Sequence, residues 1–493
     1  MSSSPSLFFY DLETSGIHAD SARIMQFAGQ RVDLDLNPVG EPINLLIKLS
    51  EDILPDPYSV LIHGIAPQQT ILEGLSEEEF LKEFYSSVVQ PDTTFVGFNN
   101  VRFDDEFMRF LNYRNLYDPY AWAWENGNSR WDMLDVTRMI RAISPDGIDW
   151  PSDEAGKNTN RLELLAKANN LKHTNAHDAL SDVEATISLT RLIKERNPEL
   201  FASLFKMRLK VEAGKLINSN QPFIYTSSHY SSEYLHSTVA LKVADNLPSN
   251  GSVLVYDLRF DPSNWLKLST EQLASAWRYE PKRDQSTNPS LPVKTLRLNR
   301  CPAIQPIDIE NISPDLAKRL KLNRDKIKQH EQILKDKAVL VDFGNKLNEA
   351  LEILNDEQSI RHKKRSTTPD MRLYDGFYSD DDRKLLKSLH NGDEMVDKVR
   401  ELRHQFSDPR LRQLCSFYLA RNFKKQLTSK ERQGWEDYLS RRLLGGGENS
   451  ALSNYFKQIA QLKVERSDSR SQVLLEDLRL YGESLIPASS MEA

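Results

Sequence analysis

Asp11 and Glu13 in FFYDLETSG, Asp104 in NNVRFDDE, and His177 and Asp182 in NAHDALSD supply four carboxylates and one imidazole. Oxygen-rich groups of this kind hold Mg²⁺, and the same ligands accept Mn²⁺. Two such cations about 3.5–4 Å apart clamp the attacking and leaving oxygens of an in-line phosphoryl displacement. The chemistry these residues suggest is hydrolysis of a phosphodiester. Histidine is the natural general base near neutral pH, and His177 fills that role in this reading.

The elements must bring these residues together. Leu7 to Tyr10 is an apolar and aromatic run that ends at Asp11, which reads as a buried strand. Residues two apart on a strand face the same side, so Asp11 and Glu13 can reach one metal pair. Most Asp-x-Glu triplets are only surface acids, but the apolar run argues against that here. Asp104 could be an ordinary helix N-cap; alternatively Asp105 is the cap and Asp104 is free to face the site. His177 and Asp182, five apart, would not share a face of an ideal helix. The spacing therefore places His177 in the loop before a helix and Asp182 in its first turns. His173 and His177 are four apart and could pair on zinc. No HExxH pattern or cysteine partner accompanies them, which disfavours that reading.

Further along, Ile24 to Val32 and Ile43 to Leu49 read as strands joined by the turn NPVGEP, completing a three-stranded meander. Glu77 to Val89 reads as a helix, Thr94 to Phe98 as a strand, and Asp105 to Asn112, Arg161 to Asn169 and Asp178 to Arg196 as helices, the last stopped by Pro198. The pattern divides the chain into an α/β part at 1–197, a β-rich part at 198–353 and a helical part at 354–493. In the middle part Phe223 to Thr226, Val239 to Val243, Ser252 to Leu258 and Val293 to Leu298 read as strands, closed by a basic helix, Asp315 to Lys335. RHKKRSTTPD reads as a linker. Leu385 to Leu389, Glu394 to Gln405, Arg410 to Asn422, Lys430 to Leu444 and Ala451 to Lys463 read as helices.

A chain of 493 residues exceeds one core, and 27% charged with 39% hydrophobic residues is a globular composition. No apolar run approaches the roughly 18 residues of a membrane span, and MSSSPSLFFYDLE is unlike a signal peptide. Cys301 and Cys415 read as buried thiols, which fits a reducing cytoplasm. The net charge of −7 does not favour nucleic acid. A groove needs only local positive charge, however, and basic residues cluster at Lys318 to Lys328 and Arg361 to Arg365.

In order, spacing and context the five residues resemble the DEDDh group of 3′→5′ exonucleases. All five positions are filled, and the last acid is preceded by His rather than Tyr. The stretches GFNNVRFDDEFMRFLNYRNLYDPYAWAWENGNSRWDMLDVTR, NAHDALSDVEAT, PVKTLRLNRCPA, LYDGFYSDDDR and YLARNF are similar to bacterial exonuclease I, across nearly the whole chain. The resemblance implies an RNase H-like exonuclease domain, an SH3-like β-barrel domain and an all-helical C-terminal domain. It implies processive degradation of single-stranded DNA to 5′-mononucleotides, in DNA repair and recombination, by a monomeric enzyme. By matching position, Asp11, Glu13, Asp104 and Asp182 are the ligands of two Mg²⁺ ions and His177 is the general base. Glu13 also lies against the terminal nucleotide. Arg161 contacts substrate, and Arg109, Tyr120, Trp124 and Arg138 line the DNA path.

Single-strand binders combine a cationic groove with aromatic platforms. Tyr113, Tyr117, Tyr120, Trp122, Trp124 and Trp131 alternate with arginines, and at least half of them are expected to be core. Tyr374, Phe377 and Tyr378 are candidate stacking residues. The family binds the acidic C-terminal tail of single-stranded-DNA-binding protein, for which Lys318 to Lys328 is a candidate surface. Ser144 stands where the family often has Arg. The segment SSHYSSEYLHS and the C-terminal tail match nothing interpretable. Two alternatives stay open: an RNA-trimming DEDDh exonuclease, and a single-strand binding module without catalysis.

Overall fold

Residues Ser6–Thr14 form the first strand, β1. A computed structural model describes residues 5–172, 177–249, 251–285, 287–365, 368–390 and 395–486. Phe8, Tyr10 and Leu12 of β1 point into a core with Phe27, Phe80, Phe84, Phe95, Phe107 and Trp122. Asp11 and Glu13 alternate with them and are partly exposed. That is the period-two alternation of a strand with one face on the core.

The chain forms two units, Met1–Asn128 with Thr174–Glu184 and Ser366–Ala493, and Ser129–His173 with Ala185–Arg365. In the first unit, β1 pairs antiparallel with β2 (Ile24–Val32), which pairs antiparallel with β3 (Ile43–Leu46). The expected meander is present. On its other side β1 pairs parallel with β4 (Thr93–Gly97), Phe9 opposite Val96. The parallel pairing brings the ends of β1 and β4 to one edge of the sheet. Gly29 of β2 lies under the Phe8 ring; a Cβ there would come within 2.4 Å of it, so only glycine fits.

The helix expected over 77–89 is α-helical only from Glu77 to Glu83 and continues as a π turn through Val88. Later helices of this unit are Asp380–Leu389, Met395–Leu402, Pro409–Asn422, Ser429–Leu444, Ala451–Glu465 and Ser469–Ser484. The first four bury Leu386, Val399, Leu414, Tyr418 and Trp435 against Phe110 and Tyr113. The last two enclose Tyr455, Ile459, Leu475 and Leu478 around Val60.

The second unit contains a short strand, β5 (Ser129–Asp132), and an antiparallel sheet. The sheet runs β10-β6-β7-β8-β9, with β6 at Phe223–Thr226, β7 at Ser237–Asp245, β8 at Ser252–Asp257, β9 at Val293–Arg297 and β10 at Ala303–Pro306. One face packs Leu241, Leu254, Tyr256 and Val293 on Phe343 and Leu347; the other packs Tyr225, Ala240, Val253 and Ile304 on Ile217. Strand β10 escaped the pattern because prolines flank it. The SSHYSSEYLHS segment makes the β6–β7 connection, with the Tyr234 ring 3.7 Å from the Arg259 guanidinium.

Two expectations fail here. The basic stretch 315–335 is two helices, Pro314–Arg319 and Arg324–Lys335, because Lys321 takes a left-handed φ of 51° and Asn323 caps the second helix. Arg361–Arg365 is not linker but the last turn of a 29-residue helix, Lys337–Arg365. Pro198 does mark a stop, and also opens a new helix, Pro198–Met207, at the position where its missing N–H costs nothing.

Candidate metal centre and groove

Strand β1 delivers Asp11 and Glu13, and the helix Ala179–Arg196 delivers Asp182 from its first turn. Carboxylate oxygens of these three residues all lie within 4.8 Å of one another. Like charges this close cannot all ionise unaided. Burial, then the charges of Asp182, Asp104 and Asp178, pushes Glu13 up to about 9. Burial, then Asp104, Asp182, Glu13 and Asp178, raises Asp11 well above its ordinary value. A divalent cation resolves this repulsion, and hard carboxylate oxygens are its preferred ligands. The donor set therefore fits a divalent metal.

Asp104 enters from the loop after β4 and is buried at the first position of the helix Asp104–Arg114. Gly97 permits that loop: a Cβ there would meet Asn100 Cβ at 2.6 Å and Tyr10 O at 3.1 Å. Asp105 is not the cap. The N-cap is Phe103, without a side-chain bond, and Asp105 turns inward to accept from Tyr10 Oη at 2.5 Å and Asn100 Nδ2 at 3.4 Å. His177 stands before its helix, exposed, with φ of 64°. The left-handed backbone breaks the helix path and accounts for the five-residue spacing to Asp182. His173 lies outside the described residues.

Two residues near the centre escaped the sequence reading. Asp178 accepts from Ser181 N at 3.1 Å, capping the helix while adding negative charge beside Asp11. His63 is buried, its Nδ1 accepting from Ile65 N at 3.0 Å; burial above all, opposed by Thr14 and aided by His177, drives it down to about 4. The HGI of LIHGI, with Gly64 at φ 80°, was the available signal.

The aromatic candidates separate by burial. Tyr113, Trp122 and Trp131 are core, which is half of the six. In the first unit a groove of about 1310 Å³ is lined by Tyr117, Tyr120, Trp124, Tyr374, Phe377 and Tyr378, with Lys82, Arg383, Lys384 and Lys387 around it. Phe377 is 90% exposed, Trp124 62% and Tyr374 49%. Tyr378 is half-buried instead, parallel to Tyr113, with Arg410 over its ring. Tyr117 stacks with Tyr85 at 5.0 Å and with His390 at 3.5 Å between ring centres. Arg109 is buried, paired with Glu106 and 5.5 Å from the Tyr120 ring. In the second unit Arg138 pairs with Asp135 at 2.8 Å, and Arg161 is exposed at the N-cap of Leu162–Ala168. Arg319 there donates to the carbonyls of Ala142 and Ile143, next to Ser144. Among the described residues no helix is long and apolar enough to cross a membrane.

Three family profiles match the chain: Exonuclease over residues 8–190, Exonuclease I SH3-like domain over 208–352, and Exonuclease I C-terminal domain over 367–485. Exodeoxyribonuclease I of Haemophilus influenzae is 35% identical over 490 residues, covering 98% of this chain and 99% of that protein. The structure of Escherichia coli exonuclease I with a dA16 oligonucleotide is similar at a TM-score of 0.88 and 33% identity, over 98% of this chain and 100% of that one. A zinc-bound form of the E. coli enzyme with single-stranded DNA is similar at a TM-score of 0.87 and 33% identity, with the same coverage.

Proposed function

The chain belongs to the exonuclease I family, and on that premise we propose that it removes nucleotides processively from the 3′ end of single-stranded DNA by two-metal-ion hydrolysis. It is an exodeoxyribonuclease that depends on a divalent metal. The observation that carries the proposal is the meeting of Asp11, Glu13 and Asp182 within 4.8 Å, with Asp104 adding to their repulsion.

Asp11, Glu13, Asp104 and Asp182 would hold two Mg²⁺ ions. Such ions, when bound, acidify the attacking water and neutralise charge at the leaving 3′ oxygen. His177 takes the proton of that water at a ring nitrogen. Its position in a loop, outside the helix, lets the ring swing over the site. Glu13 lies against the terminal nucleotide. The groove of Tyr120, Trp124, Tyr374 and Phe377 supplies base-stacking platforms, each worth about 1–3 kcal/mol per base, and the lysines around it attract phosphates. Arg109 acts by orienting Tyr120, Tyr378 by packing below the groove, and Arg138 and Arg161 by contacting the strand elsewhere.

The same reading assigns 1–197 to the exonuclease domain, 198–353 to the SH3-like domain and 354–493 to the C-terminal domain of a cytoplasmic monomer engaged in DNA repair. Within Lys318 to Lys328, the exposed Lys318, Arg324 and Lys326 offer cationic groups to the acidic tail of single-stranded-DNA-binding protein. The test is Mg²⁺-dependent digestion of 5′-labelled single-stranded DNA, with duplex and RNA alongside and D182A as control. Shortening of single-stranded DNA alone, lost in the control, is the expected result. Preference for RNA would reassign the substrate, and binding without digestion would remove the enzyme.

A further inference from the structure

Residues 368–378 carry Tyr374 and Phe377 to the groove on two short 3-10 turns, Pro369–Met371 and Leu373–Asp375. A segment this irregular has almost no backbone ladder of its own, so its position must come from ties to its surroundings. There are several. Tyr113 Oη donates to Pro369 O at 2.9 Å. Arg410 donates to Arg372 O at 2.8 Å and to Gly376 O at 2.9 Å. The Asp370 carboxylate accepts from Arg23 at 3.0 Å and from Arg421 at 3.0 and 2.6 Å.

Asp370 is one member of a larger cluster. Arg421 also holds Asp52 at 2.7 Å, Arg23 stands 3.9 Å from Glu77, and Arg114 donates to Glu77 at 2.9 Å. Three guanidinium groups meet three carboxylates, all with buried side chains. Burial alone would raise the Asp370 carboxyl, but Arg421 and Arg23 outweigh it and hold it below its ordinary value. Loss of one member would leave its partners buried and uncompensated. Just past the catalytic strand, Ser15 N donates to Arg23 O at 2.8 Å, and Arg23 N donates to Ser15 Oγ at 2.9 Å, both at the Arg23 backbone. Those bonds survive a change at Asp370.

We infer that Asp370 and Arg410 are positioning residues for the DNA strand: by fixing residues 368–378 they hold Tyr374 and Phe377 in the groove as a preorganised stacking platform. The inference rests on the groove being the DNA path. A platform fixed in advance spares the ordering cost that a loose segment would incur on each binding step.

The test is steady-state kinetics on a long oligothymidylate and on a thymidine dinucleotide, for wild type, D370N, R410Q and F377A, with a melting temperature for each. D370N and R410Q should raise KM on the long strand about tenfold, the size of one lost stack. Turnover of the dinucleotide, which offers the platform fewer bases than the long strand, should stay within about twofold. If D370N does not fold, R410Q carries the test, since Arg410 bonds the carbonyls of Arg372 and Gly376 and the Asp408 carboxylate, all outside the buried cluster. A raised KM in F377A with unchanged KM in both D370N and R410Q overturns the positioning role alone. An unchanged KM in F377A overturns the groove reading itself, and this inference with it. An equal fall of kcat on both substrates would make the cluster merely structural and overturn the inference.

Discussion

Tyr10 Oη donates to Asp105 Oδ1 at 2.5 Å, joining the neighbour of Asp11 to the neighbour of Asp104. The bond fastens the middle of β1 to the start of the helix Asp104–Arg114, the two elements that aim carboxylates at one point. Burial, then the charges of Asp105 and Asp104, raises the Tyr10 phenol well above its ordinary value, so it remains a donor. Tyr10→Phe should destabilise the fold by about 1–3 kcal/mol, the cost of a lost bond to a buried charged group. It should also lower kcat, because Asp104 is then less firmly placed. Denaturant unfolding with parallel kinetics checks both, and a variant as stable and as fast as wild type would remove the strap from the argument.

Removal of the His177 imidazole should cost about 10²–10⁴ in kcat, the usual worth of a general base. The ring is exposed and lies outside the carboxylate cluster, so metal and DNA binding should persist. A His177→Ala enzyme with near wild-type turnover would assign proton removal elsewhere.

Metal removal and pH should be linked. Glu13, pushed up to about 9, and Asp11, raised well above its ordinary value, keep protons in the metal-free fold that they lose when unfolded. A folded state that binds more protons loses stability as pH rises. The metal-free protein should therefore become less stable between the ordinary carboxylate range, about pH 4, and about pH 9. Cations must displace those protons, so Mg²⁺ should raise the melting temperature more at about pH 8.5 than at about pH 6. An increment independent of pH would mean that the carboxylates are already ionised without metal.

Much of this site was legible because its signals are local. Phe8, Tyr10 and Leu12 alternate with Asp11 and Glu13, and that alone marks a strand with one face on the core and two acids on the other. The His177 to Asp182 spacing forced a loop-then-helix reading, and the φ of 64° at His177 is the physical form of it. What escaped depends on distant partners. Asp105 looked like a cap because short acids before a helix usually are; only the fold puts Tyr10 within its reach. Arg23, Asp52, Glu77, Arg114, Asp370 and Arg421 share no periodicity and meet only in three dimensions. Helix boundaries slipped where backbone choices are made one residue at a time, as at Lys321.

That buried cluster also sets the acid limit of the protein. Burial would raise Asp52, Asp370 and Glu77, but their arginines outweigh it and hold all three below their ordinary values. Depressed carboxylates stabilise the fold fully above their unfolded values, about 3.9 for Asp and 4.3 for Glu, and the contribution is lost as pH falls through the depressed ones. Wild-type stability should hold down to about pH 4.5 on this account and fall below about pH 4. Arg421→Met leaves Asp52 and Asp370 buried with one partner fewer, a loss of about 3–5 kcal/mol. The two carboxyls then drift upward towards neutral forms, so the variant should be least stable near pH 7 and recover relative to wild type as pH falls. Urea unfolding of both proteins from about pH 7 to about pH 3.5 measures the difference. A difference constant across that range would show that Arg421 contributes through packing of its stem rather than through its charge.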